Sequence, residues 1–405
     1  MAIELTAHTE PGARLVAIAD GLREQLAARA AEHDRDASYP FEAIDALKAA
    51  GYFAAPVPVE LGGLGVCCAH DLVLGSSRLA RGDASVAIGV SMHLLAVLNM
   101  QRRRAVAVAA GAQRRAQAFA ASLEQIARDG VVLAAAISEP GQDLTRPATT
   151  ATRTASGWRI DGRKTFCTMA PAATDLYVAV THADQEGGER YAYAMVATDT
   201  PGVTIHDDWD ALGMRASGSN TITFDGVELP VHGVRGGFRA GDPLPYMQRN
   251  LVAGPFHAAA SLGIAESADH IARQTIAARN NGDALARMQI ADNTIDLAAA
   301  RAVLSRATTL IDNHHAANPA SDGNPEQLAA LFAEAQAAKA FVNDAAARIV
   351  DRALALSGGT GYLNRSPLAR AYRDVKAGTF MHPLGANRAH DHLAHTALDE
   401  QTTLH

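Results

Sequence analysis

The apolar positions of this chain follow two different periods. Before residue 131 and after residue 235 they recur every three or four residues, as at Leu15, Ile18, Leu22 and Leu26, which is the spacing of one helix face. Between residues 131 and 230, apolar and polar residues alternate, and Asp-Gly and Ser-Gly pairs interrupt the alternation, as in strands joined by turns. The sequence therefore predicts helices at both ends and antiparallel strands in the middle.

The helical pattern divides into ten segments. They are predicted at 11–35, 40–50, 70–81, 85–99 and 104–126 before the strands, and at 246–280, 284–317, 325–356, 366–376 and 387–398 after them. This order predicts a mainly α protein with a central β-domain. We expect an N-terminal helical domain at 1–130, a middle β-domain at 131–235 and a C-terminal helical bundle at 236–405.

Composition excludes several classes of partner. The 405 residues carry a net charge of −7 and show no basic stripe, so we expect no nucleic-acid ligand. The N-terminus lacks a basic start followed by an apolar run, so we predict no signal peptide and a cytoplasmic location. Residues 84–101 carry no formal charge, but they include polar side chains and no aromatic belt. That run predicts a buried helix of a bundle and no membrane span.

Cysteines and histidines give little sign of a metal. Cys67, Cys68 and Cys167 have neither zinc-site nor disulfide-framework spacing. His390 and His392 diverge by about 200° on a helix, and no carboxylate-rich motif accompanies them and His395. We predict no metal site, and a solvated C-terminal tail.

An ordered set of short motifs spans the chain. They are Ser138-Glu139-Pro140-Gly141-Gln142-Asp143, Gly162-Arg163-Lys164-Thr165-Phe166-Cys167-Thr168, Leu212-Gly213-Met214-Arg215, Thr223-Phe224-Asp225-Gly226-Val227-Glu228-Leu229-Pro230, Ser357-Gly358-Gly359-Thr360-Gly361-Tyr362 and Ala371-Tyr372-Arg373-Asp374. In this order they resemble the acyl-CoA dehydrogenase family. The resemblance implies an N-terminal helical domain, a middle β-barrel-like domain and a C-terminal four-helix bundle. It also implies one flavin per subunit in a homotetramer or homodimer, with flavin contacts that cross the subunit interface.

The resemblance also assigns the flavin site. Thr168 matches the family's threonine near flavin N5, and Phe166 replaces its usual tryptophan along the ring. Ile137 and Ser138 match the strand under the ring. An isoalloxazine needs such an apolar wall together with hydrogen-bonding groups that tune its redox state. Arg279 and Gln289 are predicted to contact the flavin of a neighbouring subunit, and the backbone at Gly358, Gly359 and Gly361 is predicted to approach a flavin phosphate closely. FAD is the expected cofactor, with FMN as the alternative because Ala355 replaces a family glutamine.

The position of the family's catalytic base holds no carboxylate. Counting ten residues from Tyr372 reaches His382, and the alternative position on the first helix after the β-domain is Ala253. The His382-Pro383 pair is similar to a branch of the family that uses reduced flavin and O2, such as dibenzothiophene monooxygenase. That resemblance implies an external flavin reductase and a second histidine across the ring, for which His93 is the candidate. His93 could equally be a core histidine, and His382 could simply cap a helix end.

We therefore expect a flavin-dependent oxidoreductase, favoured as a two-component monooxygenase that oxygenates a small organic substrate. A CoA thioester, an aromatic compound, an amine and an amino sugar all remain open as substrates. The first alternative is an acyl-CoA or acyl-carrier-protein dehydrogenase in which His382 serves as base. The second is a flavin-binding protein without catalytic activity.

Overall fold

A computed structural model describes residues 4–141, 143–279, 284–398 and 400. Five helices precede the strands: α1 (Glu10–Asp36), α2 (Phe41–Ala49), α3 (Ala69–Ala80), α4 (Ala84–Ala109) and α5 (Gln113–Arg128). Six follow them: α6 (Pro243–Arg249), α7 (Ala253–Arg279), α8 (Ala284–Ala317), α9 (Pro325–Ser357), α10 (Pro367–Val375) and α11 (Ala386–Ala397). The predicted fold class, mainly α with a central β-domain, is confirmed.

Side-chain caps fix where several of these helices begin. The Thr9 hydroxyl accepts a hydrogen bond from the Gly12 N–H at the start of α1, and the Asp83 carboxylate accepts two from the first turn of α4. Asn324 and Ser366 cap α9 and α10 in the same way. Each cap satisfies an N–H group that has no partner within the helix.

The middle region forms one eight-stranded sheet. Its strands are β1 (Leu133–Ala136), β2 (Thr150–Arg153), β3 (Gly157–Cys167), β4 (Asp175–Ala183), β5 (Glu189–Ala197), β6 (Val203–Ile205), β7 (Asn220–Pro230) and β8 (Val234–Arg239). They lie in the order β6-β7-β3-β2-β4-β5-β8, with β1 also pairing with β4. Most neighbours are antiparallel, as predicted. The pairs β1–β4 and β2–β4 are parallel, because the chain forms the β2–β3 hairpin before it returns as β4.

The two largest apolar cores of the described residues lie in different parts of the molecule. The larger core lies among the helices, where α7 packs against α3, α4, α8 and α9. The second core covers one face of the sheet and includes Trp158, Ile160 and Phe224. A smaller core joins Leu133 of β1 to Val97 of α4 and Leu123 of α5, and so holds the sheet against the helices.

Two predicted helix boundaries are wrong. The segment 246–280 forms two helices because Pro255, in the first turn of α7, has no N–H to donate and its ring would clash with an earlier carbonyl in a continuous helix. The predicted break between 99 and 104 does not exist. Residues there are good helix formers, so α4 continues to Ala109 and ends before Gly111, whose φ is 69°.

Helix α4 contains the uncharged run noted in the sequence. Among the described residues it is the one helix long and apolar enough to cross a membrane, and 78% of its most apolar window is buried inside the protein. This burial confirms the prediction of a core helix for residues 84–101.

Candidate functional site

A cavity of about 660 Å³ lies where the sheet meets α4, α7 and the segment before α11. This size suits a cofactor or a drug-sized ligand. Its walls include Ile88, Met92, Ile137, Ser138, Glu139, Phe166, Thr168, Trp209, Met214, Ser217, Ser219, His257, Lys376, Met381, His382 and Arg388. The structure therefore brings together five of the predicted site residues: Ile137, Ser138, Phe166, Thr168 and His382.

Three hydroxyl groups form a chain along one wall of the cavity. Thr168, directly after β3, lies with its Oγ1 2.9 Å from Ser219 Oγ, which lies 2.8 Å from Ser217 Oγ. Both serines precede β7 and are buried. Because each hydroxyl can donate and accept, the chain can match either a carbonyl oxygen or a ring N–H of a bound heterocycle.

Phe166 occupies an unusual backbone conformation at the cavity mouth. Its φ is 54°, a region that a bulky residue rarely adopts, and 64% of its side chain is exposed. Its ring packs edge-on against Trp209 at 5.8 Å, and the Trp209 indole N–H donates to Met214 O at 3.0 Å. Strain of this kind is retained where surrounding structure enforces it, often at ligand sites. Sequence reasoning missed Trp209, which lies in a segment without a motif.

A buried ion pair supports the wall formed by Ile137 and Ser138. Lys164 Nζ lies 2.6 Å from Glu139 Oε1, and the two side chains are 0% and 4% exposed. Lys164 also donates to Ile137 O at 3.3 Å. The Glu139 carboxylate accepts further hydrogen bonds from Ala148 N and from the N–H and hydroxyl of Thr149. Lys164 holds the pKa of Glu139 below its ordinary value although burial opposes this shift.

The Tyr372-Arg373-Asp374 motif joins three parts of the chain beside the cavity. Arg373 forms a bidentate pair with Asp34 at the end of α1. Asp374 accepts a hydrogen bond from Met214 N at 2.6 Å, and burial raises its pKa to about 7. The motif therefore fixes the Leu212–Met214 wall of the cavity, and the Asp374 carboxylate is used for that contact and does not line the cavity.

His382 reaches the cavity from the segment between α10 and α11. Its Nε2 lies 2.9 Å from Asn250 Oδ1 and 3.3 Å from the Tyr246 hydroxyl, which donates to Pro383 O. The amide oxygen can only accept, so Nε2 carries the proton and Nδ1 is an acceptor. Burial and the charge of Lys339 lower the pKa of His382 to about 3, which keeps the ring neutral.

Lys339, on α9, holds the backbone that carries His382. Its Nζ donates to the carbonyls of Met381, His382 and Leu384, the last at 2.7 Å. Burial lowers its pKa to about 7, whereas three carbonyl acceptors favour the ammonium form with its three donors. The side chain itself does not line the cavity, so its contribution is to position the segment.

His257 is a second cavity histidine that the sequence analysis missed. It lies on α7, 4% exposed, and neither ring nitrogen has a hydrogen-bond partner among the residues that the structure describes. Burial and the charge of Lys339 lower its pKa well below 6.5. One signal could have identified it, since it lies one helical turn after Ala253, the alternative base position.

The prediction that His93 lies across the cavity from His382 is wrong. Its ring is fully buried in α4, where Nε2 donates to Phe53 O at 3.1 Å and Nδ1 accepts from Leu133 N at 3.0 Å. Both nitrogens are thus used by the backbone, and burial lowers the pKa to about 4. His93 joins α4 to the start of β1, whereas Met92 beside it lines the cavity.

The remaining predicted flavin contacts lie apart from this cavity. Arg279 ends α7, and its side chain lies outside the described residues. Gln289 is half-buried on α8, and Gly358, Gly359 and Gly361 follow α9. None of these described residues lines the cavity of the single chain. Their contact with a flavin stays a prediction.

The C-terminal histidines separate as their spacing predicts, and the described residues contain no group of three potential ligands close enough to hold a metal ion. His390 contacts its own helix, and His395 pairs with Glu400. The prediction of a solvated tail is wrong for His392, which is 3% exposed and packs against Phe332 at 5.4 Å. His392 is buried because an apolar face of α11 packs on α9.

The cavity fits a flavin. Ile88, Met92 and Leu212 offer apolar walls, and the Thr168 hydroxyl chain offers polar partners along one edge. Lys376 and Arg388 add positive charge suited to a phosphate group. A flavin bound here would lie between the sheet and the segment that carries His382.

Comparison with known proteins gives the family. The acyl-CoA dehydrogenase N-terminal, middle and C-terminal domain families match residues 16–103, 134–227 and 256–383. The amino sugar nitrososynthase DnmZ of Streptomyces peucetius is 34% identical over 398 residues, covering 96% of this chain and 94% of the relative. The L-evernosamine nitrososynthase of a Micromonospora species is 33% identical over 411 residues, covering 98% and 93%.

A solved structure agrees with these relatives. KijD3 in complex with FMN and dTDP-3-amino-2,3,6-trideoxy-4-keto-3-methyl-D-glucose has a TM-score of 0.89 and 31% identity, covering 98% of this chain and 96% of KijD3. The predictions of an enzyme, a flavoprotein and an oxidoreductase are confirmed. The chain belongs to the acyl-CoA dehydrogenase family, and its cofactor is a flavin.

Proposed function

We propose that this chain is a flavin-dependent N-oxygenase that uses O2 to oxidise the amino group of a nucleotide-linked amino sugar. The observation that carries the proposal is the absence of an available carboxylate. Of the described residues that line the cavity, Glu139 is the one acid, and it is engaged by Lys164 and Thr149. The similarity to nitrososynthases over nearly the whole chain supports the same reaction class.

The low pKa values of the cavity histidines, which make them weak bases, argue against the dehydrogenase alternative. Removal of the α-proton of a thioester requires a base whose pKa lies near the working pH. Burial lowers the pKa of His382 to about 3 and that of His257 well below 6.5, so both are weak bases. Dehydrogenation by His382 would therefore lack proton-transfer driving force.

The same features suit oxidation of an amine. A flavin supplies two-electron redox chemistry and reaction with O2. Nδ1 of His382 can accept a hydrogen bond from the substrate amine and orient its lone pair into the cavity. Lys376, Arg388 and nearby Lys339 disfavour a positive charge on that amine, so they favour the neutral nucleophilic form.

Burial of the reacting groups protects the reaction from water. His257 is 4% exposed, and apolar Ile88 and Met92 form the wall beyond it. Limited access to water favours transfer of oxygen to substrate over loss of hydrogen peroxide. An external flavin reductase, a homotetrameric assembly and a cytoplasmic location are the remaining parts of the proposal, and they rest on the resemblance alone.

The test is a reconstituted assay with FMN or FAD, a flavin reductase, NADH and isotopically labelled O2. Substrates are dTDP-linked amino sugars and a panel of acyl-CoA thioesters. The proposal expects labelled oxygen in a hydroxylamine or nitroso product, with one oxygen atom in the new N–O bond and the other leaving as water. Anaerobic bleaching of the oxidised flavin by a thioester, without labelled product from any amino sugar, would overturn the proposal and favour the acyl-CoA dehydrogenase alternative.

A further inference from the structure

A second cavity, of about 310 Å³, is separate from the flavin cavity. The C-terminal half of α4, the strand β8 and the end of α6 form much of its wall. Four arginines line it, Arg102, Arg103, Arg115 and Arg249, together with His315 and a single carboxylate, Asp322. Its walls therefore carry a clear excess of positive charge.

Arg249 is fixed in place without any acidic partner among the described residues. It is 7% exposed, and its guanidinium lies 4.0 Å from the Tyr193 ring centroid and 4.7 Å from that of Phe238. Its Nη1 donates to the Tyr177 hydroxyl at 2.6 Å, and its buried Nε has no partner. Aromatic rings thus orient this guanidinium, and its hydrogen-bonding capacity is incompletely used.

Arg103 and Arg102 add charge to the same space. No hydrogen bond or ion pair occupies the Arg103 guanidinium in the described part of the chain, and Arg102 makes one long contact, 3.5 Å, with Asn318 O. Burial lowers the pKa of both, and Arg249 contributes to the lowering at Arg103. Crowded guanidinium groups with one exposed carboxylate are stabilised when an anion with several oxygens joins them.

The two cavities are spaced for one extended ligand. Along α4, Met92 lines the flavin cavity and Arg102 lines the arginine cavity, about 15 Å apart at 1.5 Å per residue. A hexose and its diphosphate together reach across such a separation.

We propose that the arginine cavity binds the diphosphate group of the nucleotide-linked substrate. The placement of the sugar beside His382 rests on the proposed function, whereas the anion site rests on Arg102, Arg103 and Arg249 themselves. Four guanidinium groups exceed what one carboxylate requires and match the several charged oxygens of a diphosphate. The cavity thereby selects substrates in which the sugar is linked to a diphosphate.

The first experiment measures anion binding to the flavin-loaded full chain by titration calorimetry. Inorganic pyrophosphate and dTDP are the probes, and Arg103→Gln is the variant. Arg104→Gln is the matched control, because Arg104 is the next residue of α4 and donates to Glu60 at 3.2 Å, away from the cavity. Loss of one charge-assisted contact should weaken both probes by about tenfold or more in Arg103→Gln. Arg104→Gln should bind like the unmodified chain.

The second experiment uses turnover of a dTDP-linked amino sugar. Arg103→Gln should raise KM by about tenfold with little change in kcat, and pyrophosphate should inhibit competitively. Equal affinity of Arg103→Gln and the unmodified chain for both probes would overturn the anion site. If pyrophosphate inhibits without raising the apparent KM for the amino sugar, it binds at a site separate from the substrate. That result would overturn the proposal that the cavity binds the substrate's diphosphate. Probe binding that depends on Arg103, without oxidation of any amino sugar, would retain the anion site and remove the N-oxygenase proposal.

Discussion

Replacing Lys164 with methionine should destabilise the β-domain strongly. The substitution keeps the apolar stem but leaves the buried Glu139 carboxylate without its cation, which was 2.6 Å away. Removing one partner of a buried ion pair costs about 3–5 kcal/mol. Glu139 keeps its hydrogen bonds from Ala148 and Thr149, so we expect a loss near the lower limit, about 3 kcal/mol.

The assay is urea unfolding followed by tryptophan fluorescence. Both tryptophans, Trp158 and Trp209, lie in the middle region, so their emission reports on the sheet and the cavity wall. Arg190→Met is the matched control, since the Arg190–Asp184 pair is partly exposed and should contribute no more than about 1 kcal/mol. Flavin affinity should fall with stability in Lys164→Met, because Lys164 also binds Ile137 O.

The pH dependence gives a second check on the same pair. The pKa of Glu139 is lowered from its ordinary value of 4.5, so its stabilising contribution is present above pH 4.5 and is lost as the pH falls through the folded-state value. The difference between Lys164→Met and the unmodified chain should therefore shrink in acid. Adding Glu139→Gln to Lys164→Met should recover part of the lost stability. A Lys164→Met chain no less stable than Arg190→Met at neutral pH would refute this reasoning.

Three further predictions concern the cavity. His382→Ala should lower product formation by about 100-fold or more while flavin oxidation continues and hydrogen peroxide accumulates. An unchanged ratio of product to flavin oxidised would exclude a role for His382 in the reaction. The pH–rate profile of the unmodified enzyme should show no inflection from this residue above pH 5, because its pKa of about 3 leaves it neutral there. Thr168→Val should weaken flavin binding by up to about tenfold in a fluorescence titration, whereas the exposed Thr152→Val should not. His257→Phe should keep or raise the urea midpoint, since two unpaired buried nitrogens are removed, and should slow turnover; a large loss of stability would contradict an unpartnered ring.

The sequence predicted those features that depend on local pattern. Alternation located the sheet, and helical periodicity located both helical blocks. Thr168 and Phe166 could be assigned because they belong to one short motif at the end of β3, which lines the cavity. His382 could be assigned because it lies at a fixed count from a recognisable motif.

Features created by distant contacts could not be predicted in this way. His257 reaches the cavity through the break between α6 and α7, which Pro255 causes but which periodicity alone does not show. His93 has the residue type and position expected of a catalytic histidine, yet the backbone of Phe53 and Leu133 uses both its nitrogens. The arginine cavity combines residues from α4, α6 and β8, and no spacing in one segment reveals it.

The attachment of residues 381–384 to Lys339 has a consequence for how chemistry can change in this scaffold. The lysine holds the path of the segment through main-chain carbonyls, which every amino acid possesses. The side chain at position 382 takes no part in these contacts with Lys339 and makes its own, to Asn250 and Tyr246. A single codon change there can exchange one reactive group for another while the architecture persists, so this position is a natural point at which new activities diverge.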